Sequence, residues 1–279
     1  MKFLITGGNG FLARELTYFL ERDGCDVVVT NRQILDVSDS VQVSEFFKTH
    51  SIDMVVHTAV CGGKRNHKEN VNDLFLNLKM FQNIVDHSDK FKLMFNFGSG
   101  AEFDRRYDIS QAPESLIWDR NPVDYYGLSK NLITRQISQL PNVINLRLFG
   151  CFGPLEEDQR LFKAVYNNIQ DNKPLYIHQN KLMDYFYVED VYRVMKFYVE
   201  HWTDGLPRDL NMCYKNKKTL QDMVFLIKGL TGASNNVILD NKRKVFSYTG
   251  NSSSLTNLGI DLCGLEEGVD RFLKRIKID

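Results

Sequence analysis

The sequence predicts an α/β protein, a doubly wound parallel sheet followed by a small C-terminal α/β lid. Three observations predict it. The first thirty residues read strand, glycine turn, helix, strand. Short β-rich runs then alternate with amphipathic helical runs as far as Leu148, the pattern of βαβ units. Beyond Pro154 that regularity is lost.

Taken in order, Phe3-Leu4-Ile5 is an apolar run suited to a buried parallel strand. Thr6-Gly7-Gly8-Asn9-Gly10-Phe11-Leu12-Ala13 follows, and Leu12, Leu16, Phe19 and Leu20 then take helical spacing. Gly7 and Gly10 let the backbone pass close to a pyrophosphate, and small Ala13 lets the helix approach the strand. The helix N-terminus offers free N–H groups to phosphate. A bare glycine turn is also ordinary loop chemistry; the flanking strand and helix favour a dinucleotide. Cys25 to Thr30 is the second strand. No carboxylate stands at its end, where one would bind NAD ribose hydroxyls, but Arg32 could pair with a 2′-phosphate. NADP(H) is therefore expected, with NAD(H) kept open by nearby Asp36 and Arg32 equally readable as a surface residue. Leu35-Asp36-Val37 is expected beneath the adenine.

Val41 to His50 reads as a helix and Met54 to His57 as a strand with exit Thr58-Ala59-Val60. Cys61-Gly62-Gly63-Lys64 is a turn, and a long helix spans Asn70 to His87. Leu93 to Phe97 is a fourth strand ending at Gly98-Ser99-Gly100. Ser99 sits where open α/β sheets bind ligands, although a turn serine is the blander reading. Asp104 to Asn121 reads as loop, and Val143 to Leu148 as a fifth strand. Helices are expected at Leu161 to Ile169, Val191 to His201, Leu220 to Leu230 and Leu265 to Ile276, with a short strand at Leu175 to Ile177.

Composition narrows the function. The 279 residues carry 35 basic and 35 acidic side chains, which speaks against a nucleic-acid binder. Five scattered cysteines read as reduced thiols of a cytoplasmic protein. Phe3 to Thr6 is too short for a signal peptide, no run reaches the ~20 apolar residues of a membrane span, and nothing suggests a metal site. The chemistry gathers at Asp124-Tyr125-Tyr126-Gly127-Leu128-Ser129-Lys130. Tyr126 and Lys130 stand one helical turn apart on one face, so the ammonium is expected to lower the phenol's pKa toward working pH. Alone, that spacing equally describes a solvated helix face.

A glycine turn, a serine after the fourth strand and Tyr-x-x-x-Lys opening the next helix occur here in one order. Together they resemble the short-chain dehydrogenase/reductase superfamily in its extended form, which acts on nucleotide sugars. His57-Thr58-Ala59, Arg147-Leu148-Phe149-Gly150-Cys151-Phe152-Gly153-Pro154 and Asp184-Tyr185-Phe186-Tyr187-Val188-Glu189-Asp190 resemble further motifs of that form. Leu35 to Asp39 and the Cys61-Gly62-Gly63-Lys64 loop are most similar to the GDP-fucose synthase and dTDP-4-dehydrorhamnose reductase branch.

The resemblance implies a Rossmann-like domain over 1–153, joined by parts of 183–212, and a nucleotide-sugar domain over 154–182 and 213–279. It places the catalytic serine, tyrosine and lysine on Ser99, Tyr126 and Lys130. The implied cofactor surface takes in Thr6, Gly7, Asn9, Gly10, Phe11, Leu12, Ala13, Arg32, Asp36, Val37, Thr58, Ala59, Val60, Asn77, Phe97, Lys130, Leu148, Gly150 and Cys151. Substrate contacts are expected from Ser99, Ala101, Tyr126, Lys64, Arg160 and Tyr185. Arg160, Lys163, Lys181, Lys242 and Arg243 are candidates for a diphosphate, and Phe186, Tyr187 and Tyr198 for a base, against the plainer readings of surface charge and core. The implied activity is an NADP(H)-dependent reduction of a GDP- or dTDP-linked keto-sugar at C4, by a homodimer.

Departures sharpen this. Ser99-Gly100-Ala101 stands where the superfamily's 4,6-dehydratases carry Thr-Asp-Glu, and Glu102 falls one step late. Ala101 replaces the cysteine with which fucose synthases epimerise, no histidine lies between Asp158 and Val165, and Met183 replaces a usual arginine. A C4 epimerase with bound NAD and a non-catalytic dinucleotide sensor are the rival expectations.

Overall fold

The computed structural model describes residues 1–63, 67–240 and 245–277. The first half alternates as expected: β1 (Lys2–Thr6), α1 (Phe11–Arg22), β2 (Asp26–Val29), α2 (Ser40–Thr49), β3 (Met54–His57), α3 (Val71–Val85) and β4 (Leu93–Ser99). Then come β5 (Ile109–Ala112), α4 (Tyr125–Ile137), β6 (Val143–Leu148), β7 (Cys151–Phe152), α5 (Leu161–Gln170), β8 (Leu175–Ile177) and β9 (Phe186–Tyr187). The chain continues through α6 (Val188–His201), β10 (Asp209–Met212), α7 (Leu220–Thr231), β11 (Val237–Leu239), β12 (Tyr248–Gly250), α8 (Ser253–Thr256) and α9 (Gly264–Arg275).

Six parallel strands form the main sheet in the order β10-β6-β4-β3-β1-β2. The order reverses between β1 and β3, so a crevice opens outside their carboxyl ends. Alternation along each strand serves both faces. Phe3, Ile5, Met54, Val56, Phe95 and Leu146 join a core with α1 and α6, while Leu4, Val55, Met94 and Val143 join another with α2, α3 and α4. The first core runs on without a break into the C-terminal elements through Val165, Leu175, Met223, Val269 and Phe272.

Helix starts follow side-chain caps. Asp39 accepts from Val41 and Gln42 N–H groups, and Asn70 with Asp73 and Thr219 with Asp222 form capping boxes. Several elements differ from the sequence reading. The expected loop from Asp104 to Asn121 contains β5 and a 3₁₀ segment, Glu114–Trp118. The sheet gains β10, and three small parallel pairs form: β12 with β5, β7 with β9, and β11 with β8. Such two- to four-residue strands exist only by pairing with remote partners, a signal that local periodicity lacks. Among the described residues, no helix is long and apolar enough to cross a membrane.

Candidate functional site

The glycine turn occupies the crevice at the sheet's switch point. Gly7 has φ +71, and a Cβ there would fall 2.8 Å from the Ala59 backbone, so the turn and the β3 exit touch as only glycine permits. Thr58 Oγ1 donates to Thr6 O at 2.6 Å, and the Ala59 N–H donates to Thr6 Oγ1 at 3.3 Å, which locks the two strand ends together. Gly10 is the N-cap of α1, with no side-chain cap and no acidic residue in the first turn. Unlike α2, α3 and α7, this helix keeps its first N–H groups free of side-chain acceptors, with Asn9 exposed beside them. Ala13 is fully buried beneath it, and Phe11 and Leu12 are partly buried. These residues fit the pyrophosphate of a dinucleotide.

At the end of β2, Arg32 is exposed, with its Nε 4.0 Å from the Asp36 carboxylate. Asp36 is turned into its own loop, where it accepts from the N–H and hydroxyl of Ser38, the hydroxyl at 2.7 Å, and these bonds lower its pKa. Arg32 is thus the outward charge. Leu35 and Val37 correct the expectation that they lie beneath an adenine. Both side chains are buried in the core, and the Val37 carbonyl accepts from Asn83.

The structure brings Ser99, Tyr126 and Lys130 together at the ends of β4 and α4. Asp124 caps α4 by accepting from the Gly127 N–H at 2.7 Å, and the Glu69 carboxylate accepts from the Tyr126 N–H at 3.0 Å. The glycine loop packs on the phenol: a Cβ at Gly63 would lie 2.8 Å from Tyr126 Cε2. Lys130 departs from expectation. Its buried ammonium donates to Phe97 O at 2.7 Å, and burial pulls its pKa down to about 8. Burial raises the Tyr126 pKa, and the side chain that most opposes this is Ser99, through a hydrogen bond. Burial thus outweighs the groups that lower the phenol's pKa, and Tyr126 stays protonated.

Ser99 is itself held by Glu102, which the sequence reading weighed only as a glutamate one step late for a dehydratase. The Ser99 N–H donates to Glu102 Oε1 at 2.8 Å while Ser99 Oγ accepts from the Ala101 N–H at 3.2 Å, a capping box on one 3₁₀ turn. Glu102 Oε2 accepts from Arg147 Nε at 2.6 Å, both side chains being wholly buried. Arg147 also donates to Asn211 at 3.0 Å and Asp209 at 2.7 Å on β10. Burial pushes the Glu102 carboxyl up and Arg147 pulls it back; Glu102 and Asp209 in turn hold the guanidinium protonated against burial. The Ser-x-x-Glu spacing could have revealed the cap. Nothing local could have revealed Tyr248, whose ring covers Gly100 from the far end of the chain.

Other expected contacts are placed less directly. Asn77 is buried and engaged with both backbone groups of Cys61 and with Ser129, so it holds the loop rather than facing the crevice. Phe97 offers its carbonyl to Lys130 and buries its ring. Leu148 stands in register with Ser99, Gly150 packs against the Tyr185 ring, and Cys151 is buried in β7. Val60 is exposed and Ala101 buried. Arg160 donates to Cys151 O at 3.3 Å, and Lys163 donates to Pro154 O and pairs with Asp158. Tyr185 packs edge-on against Phe162 at 5.1 Å. Phe186, Tyr187 and Tyr198 are core residues, each 0% exposed, which removes them as base-stacking groups. Lys64, Lys242 and Arg243 lie outside the described residues. Among the described residues, no cluster of His, Cys, Asp or Glu is arranged to hold a metal ion.

The chain belongs to the NAD dependent epimerase/dehydratase family, whose pattern matches residues 3–213, and so to the extended short-chain dehydrogenases/reductases. Its cofactor is accordingly a nicotinamide dinucleotide. Three curated relatives are similar. A probable dTDP-glucose 4,6-dehydratase of Sinorhizobium fredii is 24% identical over 74% of this chain and 69% of its own. The GDP-L-colitose synthase of Yersinia pseudotuberculosis is 18% identical over 88% and 87%. The GDP-L-fucose synthase of Azorhizobium caulinodans is 27% identical over 54% and 51%. Among solved structures, a GDP-mannoheptose C4 reductase from Campylobacter jejuni with NADP bound superposes with TM-score 0.82 at 18% identity, over 99% of this chain and 98% of its own. A UDP-glucose 4-epimerase from Thermotoga maritima gives 0.82 at 20%, over 100% of both chains. A dTDP-4-dehydrorhamnose reductase from Clostridium acetobutylicum gives 0.83 at 19%, over 99% and 100%. These likenesses establish the shared fold.

Proposed function

We propose that this protein is an NADP(H)-dependent reductase of a nucleotide-activated keto-sugar, acting at C4. The observation that carries the reading is the convergence of Ser99, Tyr126 and Lys130 beside the crevice that holds the glycine turn. NADPH, when bound, supplies the hydride. Gly7 and Gly10 with the free N-terminus of α1 receive its pyrophosphate, and the exposed Arg32, whose contact with Asp36 is a long 4.0 Å one, favours a 2′-phosphate. Tyr126 delivers a proton to the carbonyl oxygen, which a phenol kept protonated by burial can do. Ser99 donates a hydrogen bond to the same oxygen as negative charge develops. Lys130 keeps a cation beneath the site and is poised to hold the nicotinamide ribose.

Ala101, small and buried, supplies no second proton-transfer group beside Ser99, which favours reduction without epimerisation. Residues 154–182 and 213–279 are assigned to the nucleotide sugar, with GDP and dTDP as the leading nucleotides. The fold shared with UDP-glucose 4-epimerases keeps a C4 epimerase as the second reading. The test is NADPH absorbance over a panel of GDP-, dTDP-, CDP- and UDP-4-keto-sugars. Oxidation driven by one of them supports the proposal; silence across the panel, with dinucleotide still bound and no sugar isomer formed, would favour a sensor.

A further inference from the structure

Tyr126 is held from outside its own helix. An N–H in the first turn of a helix has no acceptor within that helix. Asp124, the N-cap of α4, serves Gly127 at 2.7 Å, and the Tyr126 N–H donates instead to the Glu69 carboxylate at 3.0 Å. The Tyr126 carbonyl accepts from Ser129 Oγ at 2.7 Å. Ser129 accepts in turn from Asn77 Nδ2 at 3.0 Å, and Asn77 binds both backbone groups of Cys61. The turn after Cys61 lies against the phenol, with φ +82 at Gly62 and +71 at Gly63. A Cβ at Gly63 would stand 2.8 Å from Tyr126 Cε2 and 2.9 Å from Cζ. One at Gly62 would stand 3.6 Å from Tyr126 Cβ and 3.7 Å from Glu69 Cγ. Glu69 thus lies beside the same turn. It directly precedes Asn70, the N-cap of α3, whose N–H donates to Asp73 at 2.9 Å, so the start of α3 fixes its place.

We propose that Glu69 and Gly63 are positioning residues for Tyr126: the Glu69 carboxylate holds its backbone at the head of α4, and the bare Gly63 backbone bears on its ring at Cε2 and Cζ, so that the hydroxyl keeps one place before substrate arrives. The proposal rests on the reductase reading for its catalytic consequence. A proton donor must stand within hydrogen-bond reach of the carbonyl oxygen, and small misplacements of a reacting group are costly in rate. The carboxylate suits its task, since a charge-assisted bond at the positive end of a helix is a strong one. Gly63 suits its own because any side chain there would meet the phenol, and its φ is one that only glycine adopts freely.

Kinetics and NMR test it together. Glu69→Ala removes the acceptor and should lower kcat about tenfold to a hundredfold with KM nearly unchanged. Glu69→Gln keeps an oxygen that can accept the N–H and should recover most of that loss. Gly63→Ala should lower kcat in the same way, and Glu69→Ala should cost little further in a Tyr126→Phe background. Wild-type kcat in Glu69→Ala, no recovery in Glu69→Gln, or losses that simply add would overturn the proposal. A second readout needs no turnover. In ¹³Cε-tyrosine NMR, with Tyr126 assigned by its disappearance in Tyr126→Phe, a held ring gives separate Cε1 and Cε2 signals. They should be distinct in the wild-type protein, coalesce in Glu69→Ala and separate again in Glu69→Gln. Signals merged in the wild type, or unmoved in Glu69→Ala, defeat the role of Glu69 even if the keto-sugars react. Failure of every keto-sugar to react, with the ring signals behaving as stated, defeats only the reductase reading.

Discussion

Tyr126 and Lys130 share a helix face, yet burial raises the phenol's pKa, and the ammonium spends one of its three N–H groups on the Phe97 carbonyl. Replacing Tyr126 by Phe should lower turnover by about a thousandfold or more, while NADPH affinity, measured by fluorescence titration, stays near wild type. Full activity in that variant would remove the assigned proton donor. Lys130 titrates at about 8 because burial disfavours its charge. Below that pH the cation is present and above it the charge is lost, so the rate of reduction should fall as pH rises through about 8. A kcat profile flat to strongly alkaline pH would show that the charge does not matter. The three residues were legible in the sequence because each is announced locally, by a strand end or a four-residue step. Tyr248 was not, because its place over Gly100 comes from a strand pairing with Ile109, remote in sequence.

The elements that aim those residues divide in the same way. α3, α4 and α7 carry their caps in the sequence, and their starts follow from Asn70, Asp124 and Thr219. α6 begins at Val188, three residues ahead of its expected start, because Val188, Glu189 and Asp190 are buried and Tyr187 N-caps the helix without a capping side chain to mark it. The 3₁₀ turn after β4 depends on an ion pair between Glu102 and Arg147, which joins β4 to β6 and, through Asp209 and Asn211, to β10. Breaking that pair with Glu102→Gln leaves the buried Arg147 guanidinium with Asp209 as its remaining carboxylate and should cost about 1–3 kcal/mol in urea unfolding. The double variant Glu102→Leu, Arg147→Met removes both charges and should recover much of that stability. Its activity should nevertheless stay low, since the Ser99 N–H has then lost its acceptor. Recovery of full activity with stability would reduce the pair to a structural role.

At the scale of the molecule, the strand order decides where chemistry can occur. The sheet reverses between β1 and β3, and the glycine turn, the Thr58-Ala59 exit and the ends of β4 and α4 all face that crevice. Parallel alternation made this much readable from sequence. The two-fold association proposed by family likeness has a matching surface: Val71 and Phe75 on α3 and Tyr125 and Leu132 on α4 are exposed apolar residues on packed neighbouring helices. We propose that a second copy covers them, which light scattering should report as twice the 32.4 kDa chain mass; a monomer at micromolar concentration would reject it. The most direct test of the reductase reading counts both products of one reaction. With a keto-sugar that the enzyme accepts, the wild-type protein should yield one NADP⁺ for each sugar alcohol formed, and Tyr126→Phe should yield neither. Conversion of one sugar isomer to another with no net loss of NADPH would contradict the reading and establish an epimerase.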